Sequence, residues 1–505
     1  MTPCEASTRK LNRRWLPLFI VAPSLVLLMV AAALADDPKS PIETQLAKAI
    51  AAADRDNPNW RIADILSHRQ PVPDAENGAI VVARVVKLLP KNWPSSPPPP
   101  AGFPQPPAPL FMRAYEGLAS APAGVRLADD LAVEVRLALV EVADAVKVAR
   151  TLVDYPRGRH EVTLGPAVVD TDLKEDQDTR TVARLLQIDA MLRAHDGDLD
   201  GALDSCRACI NAGRSIGDEP FLISMLIRVA VVRVALDTAG RVLALGEPSD
   251  GAIVKLQALI DDEAAQPLLT IALNGERGGV DEVICRLGDG KIRLSDITGD
   301  AVKPDPKQPA AKPATASKPW YDHQRAVMLE WMTDAVLISR KPLQDQADEW
   351  RRWDERVRDT KKPLLGKFTD TLPLLLAPGV SGGFEAYLRY QAMLRSTSLM
   401  LAAERHRRKT GAWPTSVERI DPAFLARLPI DPYDGKPIRI KARDGQLFVY
   451  SVGRNHQDDG GRYDPKQEFR GGAVDVGTNA PDLALRNQVA PAPKDLPKPA
   501  PPEKP

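Results

Sequence analysis

Positions 15 to 34 form a predominantly apolar run without a charge, and beyond them long stretches follow in which apolar residues recur every three or four places. Ile42, Leu46 and Ile50 fall on one helical face. Asp74, after Pro73, is placed to cap a helix through Ile80, Val81, Val85 and Leu88. From Phe111 to about Gly288 the helical spacing persists, in Leu131, Val135, Leu139 and Val142 and again in Leu185, Ile188, Met191 and Leu192. The polar break from His195 to Asp198 predicts a turn between two helices. Phe221 to Leu245 reads as a long apolar helix. Arg228, Arg233, Asp237 and Arg241 interrupt it at helical intervals, which assigns it to a bundle interior rather than to a membrane. A further helix is expected from about Ser249 to Asp262, and two more around Trp331 and around Trp350 and Trp353. Those tryptophans have apolar neighbours and are expected in the core. Past Phe384 comes another helix, then two alternating runs, Pro437 to Ala442 and Gln446 to Val452. Asp444 and Gly445 between them are a two-residue hairpin signal. The expected fold class is mainly α, helical hairpins or a bundle, with a C-terminal α+β module of one long helix and a small antiparallel sheet.

The apolar run at 15 to 34 follows Arg9, Lys10, Arg13 and Arg14 and precedes Asp36 and Asp37. Basic before and acidic after places the N-terminus inside and the bulk of the chain on the periplasmic or exoplasmic side of the cytoplasmic membrane. Twenty helical residues cover about 30 Å, enough to span the hydrocarbon core once. The end of the run, Ala33-Leu34-Ala35, also fits a signal-peptidase site. A single-pass anchor and a protein secreted after cleavage at Ala35 therefore both stand.

Lysine and arginine total 67, as do aspartate and glutamate. With no basic block interleaved with aromatics, a nucleic-acid partner is not expected. The 47 prolines concentrate in Pro90 to Pro109, Pro304 to Pro319 and Pro491 to Pro505, stretches that act as linkers or tails. They punctuate the chain into a signal or anchor (1–36), an N-terminal helical region (41–90), a linker (91–110), a helical domain (111–300), a second linker (301–319), a helical region (320–383), a C-terminal module (384–480) and a disordered tail (481–505).

Candidate chemistry is sparse. Cys206 and Cys209 share a helix face, and without a helix N-terminus or further ligands they read as packed small hydrophobes. Six scattered histidines make no zinc or haem pattern. Gly379-Val380-Ser381-Gly382-Gly383 matches the G-x-S-x-G of a nucleophile elbow, with Asp434 and His456 following in the right order. An elbow requires a central parallel sheet, however, and the preceding pattern is helical. A glycine-rich turn between helices is the plainer reading, and no catalytic residue is assigned.

Three resemblances add to this. Trp60-Arg61, Asp64-Ile65 and Pro73-Asp74-Ala75-Glu76-Asn77 resemble the N-terminal part of a group of bacterial membrane-anchored proteins of unknown function. The hairpin around Gly197-Asp198, with Ala202 at a small-residue position, is similar to a single tetratricopeptide unit, without a second copy. From about 384 to 478 the order of motifs resembles the globular head of the major type II secretion pseudopilin. It comprises a helix ending in Arg407 to Pro414, then Asp431-Pro432-Tyr433-Asp434-Gly435-Lys436-Pro437, Tyr450-Ser451-Val452-Gly453, an acidic loop and Asp475-Val476. In that family the loop wraps calcium, and the resemblance implies Asp458, Asp459 and Asp475 as ligands with the Val452 carbonyl, a set of hard oxygen donors. Arg454, Arg462, Lys466 and Arg470 would oppose a dication there. A polar loop with no ion is the alternative. No prepilin leader precedes Phe384, so incorporation into a pilus is not expected.

Together these features imply a non-enzymatic, membrane-tethered scaffold or interaction protein, with secretion as the setting that the resemblance suggests and partners unidentified. The alternative is a serine hydrolase using Ser381.

Overall fold

The computed structural model describes residues 41–91, 93, 109–121, 125–298, 317–360, 371–443, 446–461 and 476–479. The apolar run at 15 to 34 and most of the proline-rich stretches lie outside them. Helices dominate, and their order is α1 (Pro41–Asp56), α2 (Ile62–Ser67), α3 (Gly78–Leu88), α4 (Leu110–Ser120), α5 (Asp129–Val140), α6 (Ala143–Arg150), α7 (Lys174–His195), α8 (Leu199–Arg214), α9 (Leu222–Leu245), α10 (Asp250–Ala264), α11 (Leu268–Gly288), α12 (Leu294–Thr298), α13 (Lys318–Ser339), α14 (Leu343–Thr360) and α15 (Thr371–Thr410). A C-terminal antiparallel sheet runs β1 (Arg439–Arg443), β2 (Gln446–Ser451), β3 (Val476–Asn479) in that spatial order.

Helices α7, α8 and α9 pack on one another, joined at the first turn by Asp198, whose carboxylate accepts from the Gly201 N–H at 3.0 Å. Gly197 supplies the left-handed residue of that turn at φ +87°. Cap chemistry also starts α10, where Ser249 Oγ accepts from the Ala252 N–H at 3.2 Å. The helix expected to be capped by Asp74 begins later. Asp74–Glu76 form a short 3₁₀ turn, and the cap is Asn77, which accepts from the Ala79 N–H at 3.1 Å. An asparagine that also serves a second strand of chain outcompetes the aspartate, because its Nδ2 donates to the Arg159 carbonyl at 3.1 Å.

The charges inside α9 are matched rather than exposed to a bilayer. Arg228 pairs with Glu263 of α10, and Arg241 donates to the Leu118 carbonyl at 3.0 Å. Among the described residues no helix is long and apolar enough to cross a membrane.

One hydrophobic core reaches from Val81 to Val452. It takes in Trp353, 1% exposed, and Trp350, whose ring stacks on Trp353 at 4.8 Å and on Phe384 at 4.2 Å. A smaller cluster of Leu46, Ala49, Ala53, Trp60, Ala326 and Leu329 fixes α1 against α13. Two expectations change here. The boundary drawn between 383 and 384 falls inside α15, a single helix of 40 residues. For the same reason Gly379 to Gly383 is not a turn between helices.

Beyond α15 the chain turns at Gly411, φ +83°, whose N–H donates to the Arg407 carbonyl at 2.7 Å. The β1–β2 register pairs Arg439 with Tyr450 and closes with Arg443 opposite Gln446, while Asp444 and Gly445 themselves lie outside the described residues.

Candidate functional site

Two clusters of polar side chains carry the chemistry of the described residues. The first lies in the C-terminal module, where calcium ligands are expected. Asp431, 0% exposed, gathers four donors: Oδ1 accepts from the Tyr433 N–H (2.9 Å) and Ser451 Oγ (2.8 Å), and Oδ2 from the Val452 N–H (2.9 Å) and Arg439 Nη1 (3.0 Å). Burial pushes its carboxyl up against the pull of those donors. Arg439 also pairs with Asp434 and, through Nε at 3.4 Å, with Asp458. The guanidinium thus stands among three carboxylates, the position a cation would take.

Of the expected calcium ligands, Asp458 Oδ1 accepts from Tyr450 Oη (3.1 Å) and the Gly460 N–H (2.9 Å), and Asp459 Oδ2 accepts from Asn455 Nδ2 (2.8 Å). Val452 is 1% exposed beside Asp431. Asp475 lies outside the described residues. Among those residues no group of three or more His, Cys, Asp or Glu is placed to hold a metal ion. Arg439 was not among the opposing cations expected from the loop, because an alternating strand gives no hint that one outward residue faces three acids.

The Ser381 motif resolves differently from an elbow. Ser381 sits mid-helix in α15, and its hydroxyl donates to Asp354 of α14 at 2.8 Å. Asp434 is engaged by Arg439, and the His456 ring meets Tyr433 edge-on at 6.0 Å. Among the described residues no strand precedes the serine to aim it.

Cys206 and Cys209, each 1% exposed, are free thiols on the inward face of α8, and burial pushes Cys209 up to about 12. A thiol held protonated is a poor nucleophile and a poor metal ligand. Cys285 is also a free thiol.

The second cluster has no single motif. It forms where the segment before α3, the Tyr155 to Glu161 loop, the start of α7 and the turn before α9 converge. Asn77 ties the first two together: its Oδ1 also accepts from the Arg159 N–H at 2.9 Å, and the Gly78 N–H donates to the Arg157 carbonyl at 2.8 Å. Gly158 and Gly217 must lack side chains, since a Cβ on Gly217 would come within 2.3 Å of the Gly158 carbonyl oxygen. Arg69, its side chain 3% exposed, donates through Nε to Asp218 (2.7 Å) and through Nη1 to the His160 carbonyl (3.0 Å).

Beneath these lie two acids. Asp176, in the first turn of α7, is 0% exposed, and neither of its oxygens meets an N–H or O–H donor. Glu219, 5% exposed, accepts from Ser224 Oγ at 2.9 Å, and the Thr179 hydroxyl is spent on the Asp176 carbonyl at 2.7 Å. Burial and the facing Asp176 push Glu219 up to about 9, and burial raises Asp176 as well. Around them His160 Nε2 and Arg69 Nη2 are buried without partners. Burial, with Arg69 adding to it, lowers His160 despite Glu175. Beside the junction an open pocket of about 500 Å³ is lined by Glu76, Thr151, Asp154, Tyr155 and Arg157. Asp176 and Glu219 stand 43 positions apart with no shared motif. The one sequence cue was the density of Pro, Gly, Asn and Arg in Pro73 to Asn77 and Tyr155 to His160.

No protein-family model matches the chain, and no curated protein or solved structure does.

Proposed function

We propose that the protein is a non-enzymatic scaffold held at the outer face of the cytoplasmic membrane, with its C-terminal module displayed as a fixed part of the helical body. The observation that carries this reading is the docking of α1. Its buried face packs on α13, Gln45 Nε2 donates to Glu330 at 3.3 Å, and Asp56 is held by Arg277 (2.9 Å) and Arg340. Only residues 35–40 separate the apolar run from α1. Six residues reach at most ~20 Å, so a retained anchor would keep the body close to the lipid surface. The resemblance of 384–478 to a pseudopilin head supports secretion as the setting and identifies no partner.

The test is fractionation of membranes from cells making the full chain or a version lacking residues 1–36. The full chain is expected to resist carbonate extraction and to be digested by protease added from outside the cytoplasmic membrane. The truncated form should be soluble inside. Release of the full chain by carbonate would remove the tether. Cross-linking in intact membranes should capture the same protein partners in each preparation. Labelling by a fluorophosphonate that disappears in Ser381→Ala would instead mark a hydrolase.

A further inference from the structure

The junction of α7 and α9 contains a feature that the scaffold reading does not use. A buried carboxylate without any donor is costly, and a second carboxylate beside it makes matters worse unless a proton is shared between them. Asp176 at the start of α7 and Glu219 in the turn before α9 are such a pair, and the nearby hydroxyls of Ser224 and Thr179 are committed to Glu219 and to the Asp176 carbonyl. The charged groups that face the pair are Glu175 and Arg180 on α7 and Arg69 from the segment before α3, the last already committed to Asp218. Neither arginine donates a hydrogen bond to Asp176.

We propose that Asp176 and Glu219 form a proton-held latch that closes the α7–α9 junction when they share one proton and lets it open when the proton leaves. Closed, the pair carries one proton and one negative charge. Opening exposes both carboxyls to water, where each ionises as an ordinary acid, so one proton is released to solvent per opening. The inference is independent of the membrane tether.

Hydrogen exchange on the full-length chain tests it, reading the amides of residues 174–180 and 220–226 after correction for the intrinsic pH dependence. With one proton released per opening, the opening constant rises about tenfold per pH unit between roughly pH 6 and 9 and levels off above that. In Glu219→Gln, where the amide replaces the shared proton, the rise should vanish while amides in α13 keep their protection. A parallel rise in wild type and variant, or no rise in wild type, overturns the latch. Protection of the same amides that increases with millimolar calcium or magnesium, and not in Glu219→Gln, overturns it in favour of a cation between the two acids. Should Glu219→Gln fail to fold, the infrared carbonyl band of a protonated carboxyl in wild type decides. A band that titrates away near pH 9 is expected, and its absence ends the proposal.

Discussion

The Tyr390 hydroxyl of α15 donates to Glu263 Oε1 of α10 at 2.8 Å, and Arg228 of α9 holds both oxygens of the same carboxylate at 2.9 and 2.6 Å. Two consecutive helices, α9 and α10, and the sequence-distant α15 thus converge on one fully buried acid. Removing the acid leaves Arg228 charged and enclosed, a loss of roughly 3–5 kcal/mol for a broken buried pair. Glu263→Ala is expected to lower stability by that amount in urea unfolding. Tyr390→Phe removes a single bond to a charged acceptor and should cost roughly 1.5–3 kcal/mol. The double variant should cost less than the sum, since both changes act on one network. Additive losses would show that the tyrosine and the arginine hold the acid independently.

Asp431 plays the corresponding part in the C-terminal module. With its four donors it fixes the Asp431 to Gly435 turn to the end of β2. Asp431→Ala strands the Val452 and Tyr433 N–H groups and one face of Arg439, and should destabilise the chain by roughly 3 kcal/mol or more. Asp431→Asn keeps the volume but offers one acceptor oxygen instead of two, and should fall between wild type and alanine. Thermal melts followed by tyrosine and tryptophan fluorescence would rank the three. An unchanged melting temperature in Asp431→Ala would remove the residue from the core of the module.

Stability should also weaken on the acid side. Burial lowers His160, so the unfolded chain takes up a proton near pH 6.5 that the folded one refuses until a lower pH. That contribution is fully present above about pH 6.5 and is lost as the pH falls towards the folded value, at most about 1.4 kcal/mol per pH unit. His160→Gln should flatten the acid limb of the curve of unfolding free energy against pH. His195, lowered by burial and by Arg126, keeps part of the slope in the variant. If wild type and variant have the same slope below pH 6.5, His160 is not the group responsible.

Helices were legible wherever periodicity and a cap coincided, as at Ser249 and Asp198, because both signals are local. Gly379 to Gly383 misled for a related reason. Glycine usually marks a turn, and inside a helix it costs about 1 kcal/mol, yet a Cβ on Gly383 would come within 2.8 Å of the Leu222 side chain of α9. At Gly383 α15 lies against the Leu222 side chain of α9, a neighbour set by tertiary packing that no window of sequence contains. The Asp176–Glu219 pair escaped notice for the same reason, since lone acids at a helix start and in a turn look solvated until the fold covers them. The residue pattern past Phe384, with its two alternating runs, pointed correctly to a long helix followed by a small sheet. It gave no sign that Arg439 would stand among the acids.

That same packing bears on whether the C-terminal module can stand alone. Residues 384–480 were delimited as a unit by motif order, but the helix that begins the unit is covered by the rest of the chain. Phe384, Leu388, Tyr390 and Leu394 are each no more than 3% exposed, and Trp350 and Glu263 are among the groups that cover them. Gln257 Nε2 reaches the Phe424 carbonyl at 2.9 Å, and Arg405 grips Asp250 through two bonds at 2.6 and 3.0 Å. Uncovering a large apolar side chain forfeits about 1.5–3 kcal/mol, so four of them together forfeit an amount comparable with the 5–15 kcal/mol that stabilises a typical domain. Expressed by itself, 384–480 should therefore lack near-ultraviolet circular dichroism and fixed side-chain resonances while keeping helical far-ultraviolet signal. Residues 37–505 should show all three. A well-dispersed spectrum from the fragment would mean that β1, β2 and the turn at Asp431 suffice to order the helix, and that the body has captured a module able to fold before it docks.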